Sequence, residues 1–324
     1  MKPQRPVPDG QRLQQFKSGL EPLSVNSTLP DHLEYYLDAY GLNFQKDFAG
    51  LTYHCGYLTV DANQLFCQTW IQPDNTKGTM FILHGYYDHA GLYGHVIRFF
   101  LEQGYSVFAF DEPGHGLSDG APANIESFSH YTTAVRQCLN WAVEHHLPQP
   151  FHLCGQSMGG AIITELLVAE ECGREEFPLD KVILLAPLIR PLSWRWGWVQ
   201  YQFIRHFVKQ IPRSPSRSSS DQSFLSFLHK EPLQHQILPV GWVGAMSRWI
   251  KNIEKVQSAC DFDVLIVQGQ QDGTVDWQHN MPIYQRLYKS AKIHFIPEGQ
   301  HNLANENEAI RKGFFDWLAV ELKG

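Results

Sequence analysis

The stretch "FHLCGQSMGGAIITELL" (residues 151–167) decides how this chain folds. Phe151 to Cys154 is a short apolar run, and Ile162, Ile163, Leu166 and Leu167 recur at helical spacing after it. Ser157 therefore falls on a strand-to-helix turn between Gly155 and Gly159. Residues without side chains suit a strained turn where backbones approach closely. Two readings of Ser157 follow. It is a small residue that fits the turn, or it is a nucleophile. In the second case its Oγ projects from the strand's carboxyl end above a helix N-terminus that favours negative charge.

Working outward, "TMFILHG" (79–85), "YSVFAFD" (105–111), "KVILLAP" (181–187), "FDVLIVQG" (262–269) and "KIHFIP" (292–297) share the form of residues 151–155. Each is a continuous apolar strand, as in a parallel sheet buried on both faces. Helical stretches are expected at about 92–103, 127–146, 159–172, 277–289 and 304–322. The alternation predicts an α/β fold, a mostly parallel central sheet with helices on both sides. "LTYHCGYLTV" (51–60) and "LFCQTWIQ" (65–72), separated by Asp61-Ala62-Asn63, read as a hairpin. Residues 1 to about 30 are polar and proline-rich, which predicts an extended or mobile arm. A short helix should follow with Asp31 as N-cap, Glu34 completing a capping box, and Gly41 as its stop.

The expected units are 1–50 (arm and short helix), 51–186 (first part of the core), 187–256 (an insertion) and 257–324 (second part of the core). The insertion shows no clear buried strand, yet it holds Trp194, Trp196, Trp198, Trp242 and Trp249. A helical subdomain explains this better than a long structureless loop. Its aromatics either hold the insertion together or line an apolar substrate funnel. The run "RSPSRSSSDQS" (213–223) reads as exposed loop.

A serine nucleophile needs a base, and the base needs an orienting carboxylate. Asp272 lies on the loop after the strand in "VLIVQGQQDGTVD", and His301 on the loop after the last strand, in "IPEGQHNLANE". Both fall at a strand's carboxyl end, as Ser157 does. Asp276 competes with Asp272 but stands where a helix should begin, and reads as its N-cap. Oxyanion donors are expected from the backbone N–H groups of Met158 and of Tyr86, in the loop "HGYYDH" after the 79–85 strand. His84, Asp111 and His115 read as turn-stabilising residues. No role is evident for Gln156.

With 324 residues, 43% of them hydrophobic, the chain can bury a large core. A net charge of −7 gives no support for nucleic-acid binding. The apolar runs 161–169 and 182–189 are interrupted by Glu165 and Pro187, so neither spans a bilayer. The first fifteen residues have no apolar core, so a cytoplasmic location is expected. Six cysteines form no C-x-x-C pair, and there is no phosphate loop or metal-ligand cluster, so neither cofactor nor metal is expected.

Residues 81–120, "CGQSMGGA", "GQQDGTVD" and "EGQHNLANE" together resemble the α/β-hydrolase branch of monoacylglycerol lipases and bacterial lysophospholipases, filed among serine aminopeptidase-like hydrolases. The resemblance runs from about Leu51 to the C-terminus and is weakest in the insertion. It implies Ser157 as nucleophile, Asp272 as acid, His301 as base, and a lid over an acyl-binding pocket. It departs from the branch at Gln156, where histidine is frequent, and at Asp88, where glutamate is common. The implied activity is hydrolysis of a small acyl ester, with contact to a lipid surface through the lid. Amide or peptide cleavage on the same residues, and an inactive binding protein, are the alternatives.

Overall fold

The computed structural model describes residues 6–25, 30–73, 76–214, 217–257 and 260–323. The strands are β1 (Thr52–Val60), β2 (Asn63–Ile71), β3 (Thr79–Leu83), β4 (Ser106–Phe110), β5 (Phe151–Gln156), β6 (Leu179–Leu185), β7 (Gln210–Pro212), β8 (Ile237–Pro239), β9 (Val264–Gly269) and β10 (Lys292–Ile296). The helices are α1 (Gly10–Ser18), α2 (Leu33–Tyr40), α3 (Gly94–Glu102), α4 (Phe128–Glu144), α5 (Met158–Thr164), α6 (Trp194–Ile204), α7 (Gln222–Leu228), α8 (Val240–Ile253), α9 (Trp277–Leu287) and α10 (Glu308–Glu321).

Among the described residues eight strands form one sheet in the order β1-β2-β4-β3-β5-β6-β9-β10. The β1–β2 hairpin and the β2–β4 pair are antiparallel, and the pairs from β4 to β10 are parallel. Alternate side chains enter opposite cores. Phe81, Leu83, Leu153, Val182 and Leu184 face one, while Met80, Ile82, Cys154, Ile183 and Leu185 face the other. Both faces are apolar, so the period-2 alternation is hidden and the strands read as continuous runs. Helices α4, α5, α8 and α9 cover the first face, and α1, α2, α3 and α10 the second.

The order has a switch point at β3, whose crossovers lead to β4 on one side while β5 lies on the other. The crevice beyond the carboxyl ends of β3 and β5 is where such sheets place ligands. Between β6 and β9 the chain leaves the sheet to form α6, α7, α8 and the antiparallel ribbon β7–β8.

Three local expectations are corrected. Part of the N-terminal segment is helix α1 rather than an arm, while residues 1–5 and 26–29 lie outside the described residues. Asp9 caps α1 by accepting the Gln11 N–H at 2.7 Å, and Leu13 and Phe16 are buried. Phe16 stacks on Tyr36 of α2, centroids 4.8 Å apart, and burial of such a ring contributes about 2 kcal/mol. Asp31 does not cap α2. Pro30 O accepts the Leu33 N–H, and the cap position falls on His32 at φ 63° with no side-chain bond. Gly41 does end the helix, at φ 66°. The serine-rich run, of which 215–216 lie outside the described residues, is not simply exposed, because Ser218 and Ser219 are buried.

Candidate active site

Ser157 occupies the turn between β5 and α5 at φ 53°, ψ −112°. Holding a non-glycine residue there costs about 1–3 kcal/mol, and the surroundings impose it. Ser157 N–H donates to Leu185 O at 2.9 Å, and Ser157 O accepts from Ala161 and Leu188. A Cβ on Gly155 would lie 2.5 Å from the Gly159 carbonyl carbon, and one on Gly159 would lie 2.2 Å from Leu83 O. The flanking glycines are therefore required by backbone contact between β5, α5 and β3.

The structure brings Ser157, His301 and Asp272 into one hydrogen-bonded chain. Ser157 Oγ lies 2.9 Å from His301 Nε2, and His301 Nδ1 lies 2.8 Å from Asp272 Oδ2. Asp272 can only accept here, so Nδ1–H donates to it and Nε2 is left to accept the serine proton. Asp272 Oδ1 accepts the N–H groups of Thr274 and Val275, and Gln268 Nε2 donates to Oδ2 at 3.2 Å. Ser157 and His301 line a cavity while the Asp272 side chain is fully buried behind them. Burial works to lower the His301 pKa, but the Asp272 charge and hydrogen bond outweigh it and raise it. Burial likewise works to raise the Asp272 pKa, and the His301 charge outweighs it and lowers it. Asp276 is apart from this chain and caps α9 by accepting the His279 N–H.

The loop after β3 turns toward Ser157. A Cβ on Gly85 would lie 3.5 Å from the serine Cβ. The Tyr93 hydroxyl accepts the Gly85 N–H at 2.8 Å and donates to Asp88 Oδ2 at 3.1 Å, which fixes the loop. Among the described residues the N–H groups of Tyr86 and Met158 have no acceptor. Two unmet donors beside a serine hydroxyl can receive an oxyanion. His84 braces the turn, with Nδ1 2.8 Å from Gly85 O and Nε2 accepting the Glu112 N–H. Asp111 accepts the N–H groups of Ala90 and Leu117, and His115 Nδ1 lies 3.0 Å from Pro113 O.

Several contributors had no legible signal in the sequence. Gln156 Oε1 accepts the Ala304 N–H at 2.9 Å and so anchors the His301 loop from the elbow. The Tyr86 side chain stacks on Trp242 of α8, centroids 3.7 Å apart, and donates to Ala123 O. The serine run is sewn to the His301 loop. Ser218 O accepts the Asn302 N–H at 2.6 Å, Ser219 donates to Asn305 O, and Glu306 accepts the N–H groups of Ser220 and Gln300.

A cavity of about 520 Å³ opens on Ser157 and His301. Of the insertion's tryptophans, Trp194 and Trp242 line it, Trp249 stacks on Phe128, and Trp196 and Trp198 are exposed. Two of these tryptophans thus face the cavity, one packs α8 against α4, and two meet solvent.

Residues 74–308 match the model of the family described as serine aminopeptidase, S33. The human monoglyceride lipase is 31% identical over 132 residues, covering 41% of this chain and 42% of that protein. The matched segment thus spans about two fifths of the human and rat monoglyceride lipases. A monoglyceride lipase homolog of monkeypox virus is 23% identical over 260 residues, covering 78% of this chain and 92% of that one. Among solved structures, a soluble variant of Saccharomyces cerevisiae monoglyceride lipase with a substrate analog superposes with a TM-score of 0.70 at 17% identity. It covers 82% of this chain and 93% of that chain. The sheet order, the flanking helices and the family match agree, and the chain belongs to the serine aminopeptidase S33 family of α/β hydrolases, with monoacylglycerol lipases among its relatives.

Proposed function

We propose that the chain is a serine hydrolase that cleaves carboxylic esters through an acyl-enzyme. The observation that carries this reading is the chain Ser157 Oγ–His301 Nε2, His301 Nδ1–Asp272, buried at the mouth of the cavity. Ser157 Oγ attacks the ester carbonyl carbon while His301 Nε2 takes its proton. Asp272 holds the ring in the needed tautomer and stabilises the imidazolium. The Tyr86 and Met158 N–H groups receive the carbonyl oxygen as it gains charge. His301 then protonates the departing alcohol. Water, deprotonated by His301, attacks the acyl-enzyme and frees the acid.

Monoacylglycerols, lysophospholipids and related acyl esters fit the apolar walls supplied by α6 and α8, which include Trp194, Ile204, Val243 and Met246. The exposed aromatic face of α6 would meet the lipid surface that holds such substrates. Cleavage of N-terminal amides would want a carboxylate free to hold an ammonium. Asp88 is the carboxylate in the cavity wall, and the Tyr93 hydroxyl and Gln234 already occupy it.

Nitrophenyl esters of graded chain length test the reading. Ser157→Ala should lower kcat by a factor on the order of 10⁵ and abolish labelling by a fluorophosphonate. Equal rates in the two proteins would sink the mechanism.

A further inference from the structure

Arg213 follows β7 and lines the cavity that opens on Ser157. Its Nη1 donates to Gln234 Oε1 at 2.5 Å and to His235 O at 3.4 Å, both neutral acceptors. The guanidinium lies over the Tyr87 ring, 4.1 Å from its centroid. Gln234 Nε2 in turn donates to Tyr87 O at 2.7 Å. The cation is thus tied to the residue that follows Tyr86 in the proposed oxyanion loop. Among the described residues its Nε and Nη2 have no acceptor, and no carboxylate forms an ion pair with it.

Its charge is under-compensated. Asp88 acts on it through space, but Asp88 is already bonded to Tyr93 and Gln234. Burial raises the Asp88 pKa, and the Arg213 charge is the next influence and opposes it. Burial, its largest influence, lowers the Arg213 pKa. A guanidinium remains charged in a protein all the same. A planar fork with open donors beside apolar walls is suited to a tetrahedral oxyanion held by two parallel hydrogen bonds. Ser214 and Ser218 line the same cavity and add hydroxyls.

We infer that this wall is an anion subsite, in which Arg213 binds a phosphate carried by the alcohol portion of an acyl ester. The acyl chain lies against α6 and α8 while the phosphate, beside Tyr87, aligns the ester carbonyl with Ser157. The inference rests on the ester-hydrolase reading and narrows its substrates to esters whose alcohol portion carries an anionic phosphate.

The experiment compares lauroyl-glycerol phosphate with lauroyl-glycerol, matched in acyl chain and held below micelle formation. The wild type should show the higher kcat/KM on the phosphate ester, and added salt should erode that advantage. Arg213→Gln should reduce the ratio of the two kcat/KM values about tenfold or more, the usual worth of a charge-assisted hydrogen bond. Arg213→Lys should recover part of it. A wild type that favours the neutral ester overturns the subsite, and this needs no variant to fold. So does an Arg213→Gln protein that loses both activities equally, because Arg213 is then only a strut between β7 and residues 234–235. A protein labelled by fluorophosphonate and active on nitrophenyl esters, but with no phosphate advantage, loses the subsite and keeps the hydrolase reading. A protein that neither labels nor turns over any ester loses both.

Discussion

At the scale of single residues, the proposed mechanism requires His301 to be neutral to take the serine proton, so in that mechanism its pKa sets the acid limb of activity. Burial would push that pKa down, and the Asp272 charge and hydrogen bond raise it above the ordinary value. Activity should therefore rise with pH through a midpoint above about 6.5. Asp272→Asn removes the charge and leaves burial unopposed. The acid limb should move to lower pH while kcat falls by about 10⁴, as expected for a mis-set tautomer. Rates on a soluble nitrophenyl ester across pH, for both proteins, check this. An unmoved limb in the variant would mean that another group titrates. Ser157, Asp272 and His301 were legible because each follows an apolar strand, so strand position alone brought them to one edge. Gln156 was not legible. Its partner Ala304 is 148 residues away, and a hydrogen bond across that separation leaves no local pattern. The same holds for Arg213, which sits in a run of serines that looks like plain surface.

At the scale of elements, β3, β4, β5, β6 and β9 were legible because they are buried on both faces, and the helices of the core because their spacing is regular. "KIHFIP", expected to be buried likewise, forms the edge strand β10, where only Ile296 is buried and Phe295 is exposed. Helix α1 escaped because only Leu13 and Phe16 among its nine residues are buried, so its pattern is mostly polar. The buried serines escaped because their partners, Asn302, Asn305 and Glu306, lie on a distant loop. Helix α6 shows the converse case, apolar residues that find no core. Trp196 is 74% exposed, Phe203 72% and, just past the helix, Phe207 86%. Arg195, Arg205 and Lys209 are exposed beside them. Among the described residues no helix is long and apolar enough to cross a membrane. Aromatics flanked by cations suit the interfacial region of an anionic bilayer. Co-sedimentation with vesicles containing phosphatidylserine should retain the wild type. Trp196→Ser with Phe207→Ser should reduce the partition coefficient about tenfold or more, on the scale of two buried aromatic side chains. Retention equal to wild type would remove α6 from any membrane role.

At the scale of the whole molecule, three separate stretches of chain meet at one buried histidine–carboxylate contact. His89, from the loop after β3, lies 3.5 Å from Glu231 of the insertion, and both side chains are fully buried. The Tyr40 hydroxyl of α2 donates to the same carboxylate at 2.5 Å, and its other oxygen accepts the Leu233 N–H. The N-terminal helices, the loop after β3 and the insertion are thereby fastened together close to the cavity. Burial works to lower the His89 pKa, but Glu231, with Asp111 and Asp88, raises it overall. Burial works to raise the Glu231 pKa, and His89 lowers it overall. The sign of the pH dependence follows for each partner. Stability from His89 is complete below its unfolded pKa of about 6.5 and is lost as pH rises through the higher folded value. Stability from Glu231 is complete above about 4.3 and is lost as pH falls through the lower folded value. The pair therefore contributes most between those two limits and declines in alkali. Removing one partner of a buried pair costs about 3 kcal/mol, which for a chain of this size shifts Tm by roughly 5 °C. Thermal unfolding of wild type and Glu231→Gln, followed from about pH 5 to 10, should show that gap near pH 6 and its narrowing as His89 loses its proton. Glutamine can keep the Tyr40 contact but loses the charge and the second acceptor, which served the Leu233 N–H. That lost bond does not vary with pH, so a gap that stays constant with pH would show that the fastening is hydrogen bonding alone. A gap that narrows would make the seating of the insertion on the core, and with it the shape of the cavity above Ser157, responsive to pH.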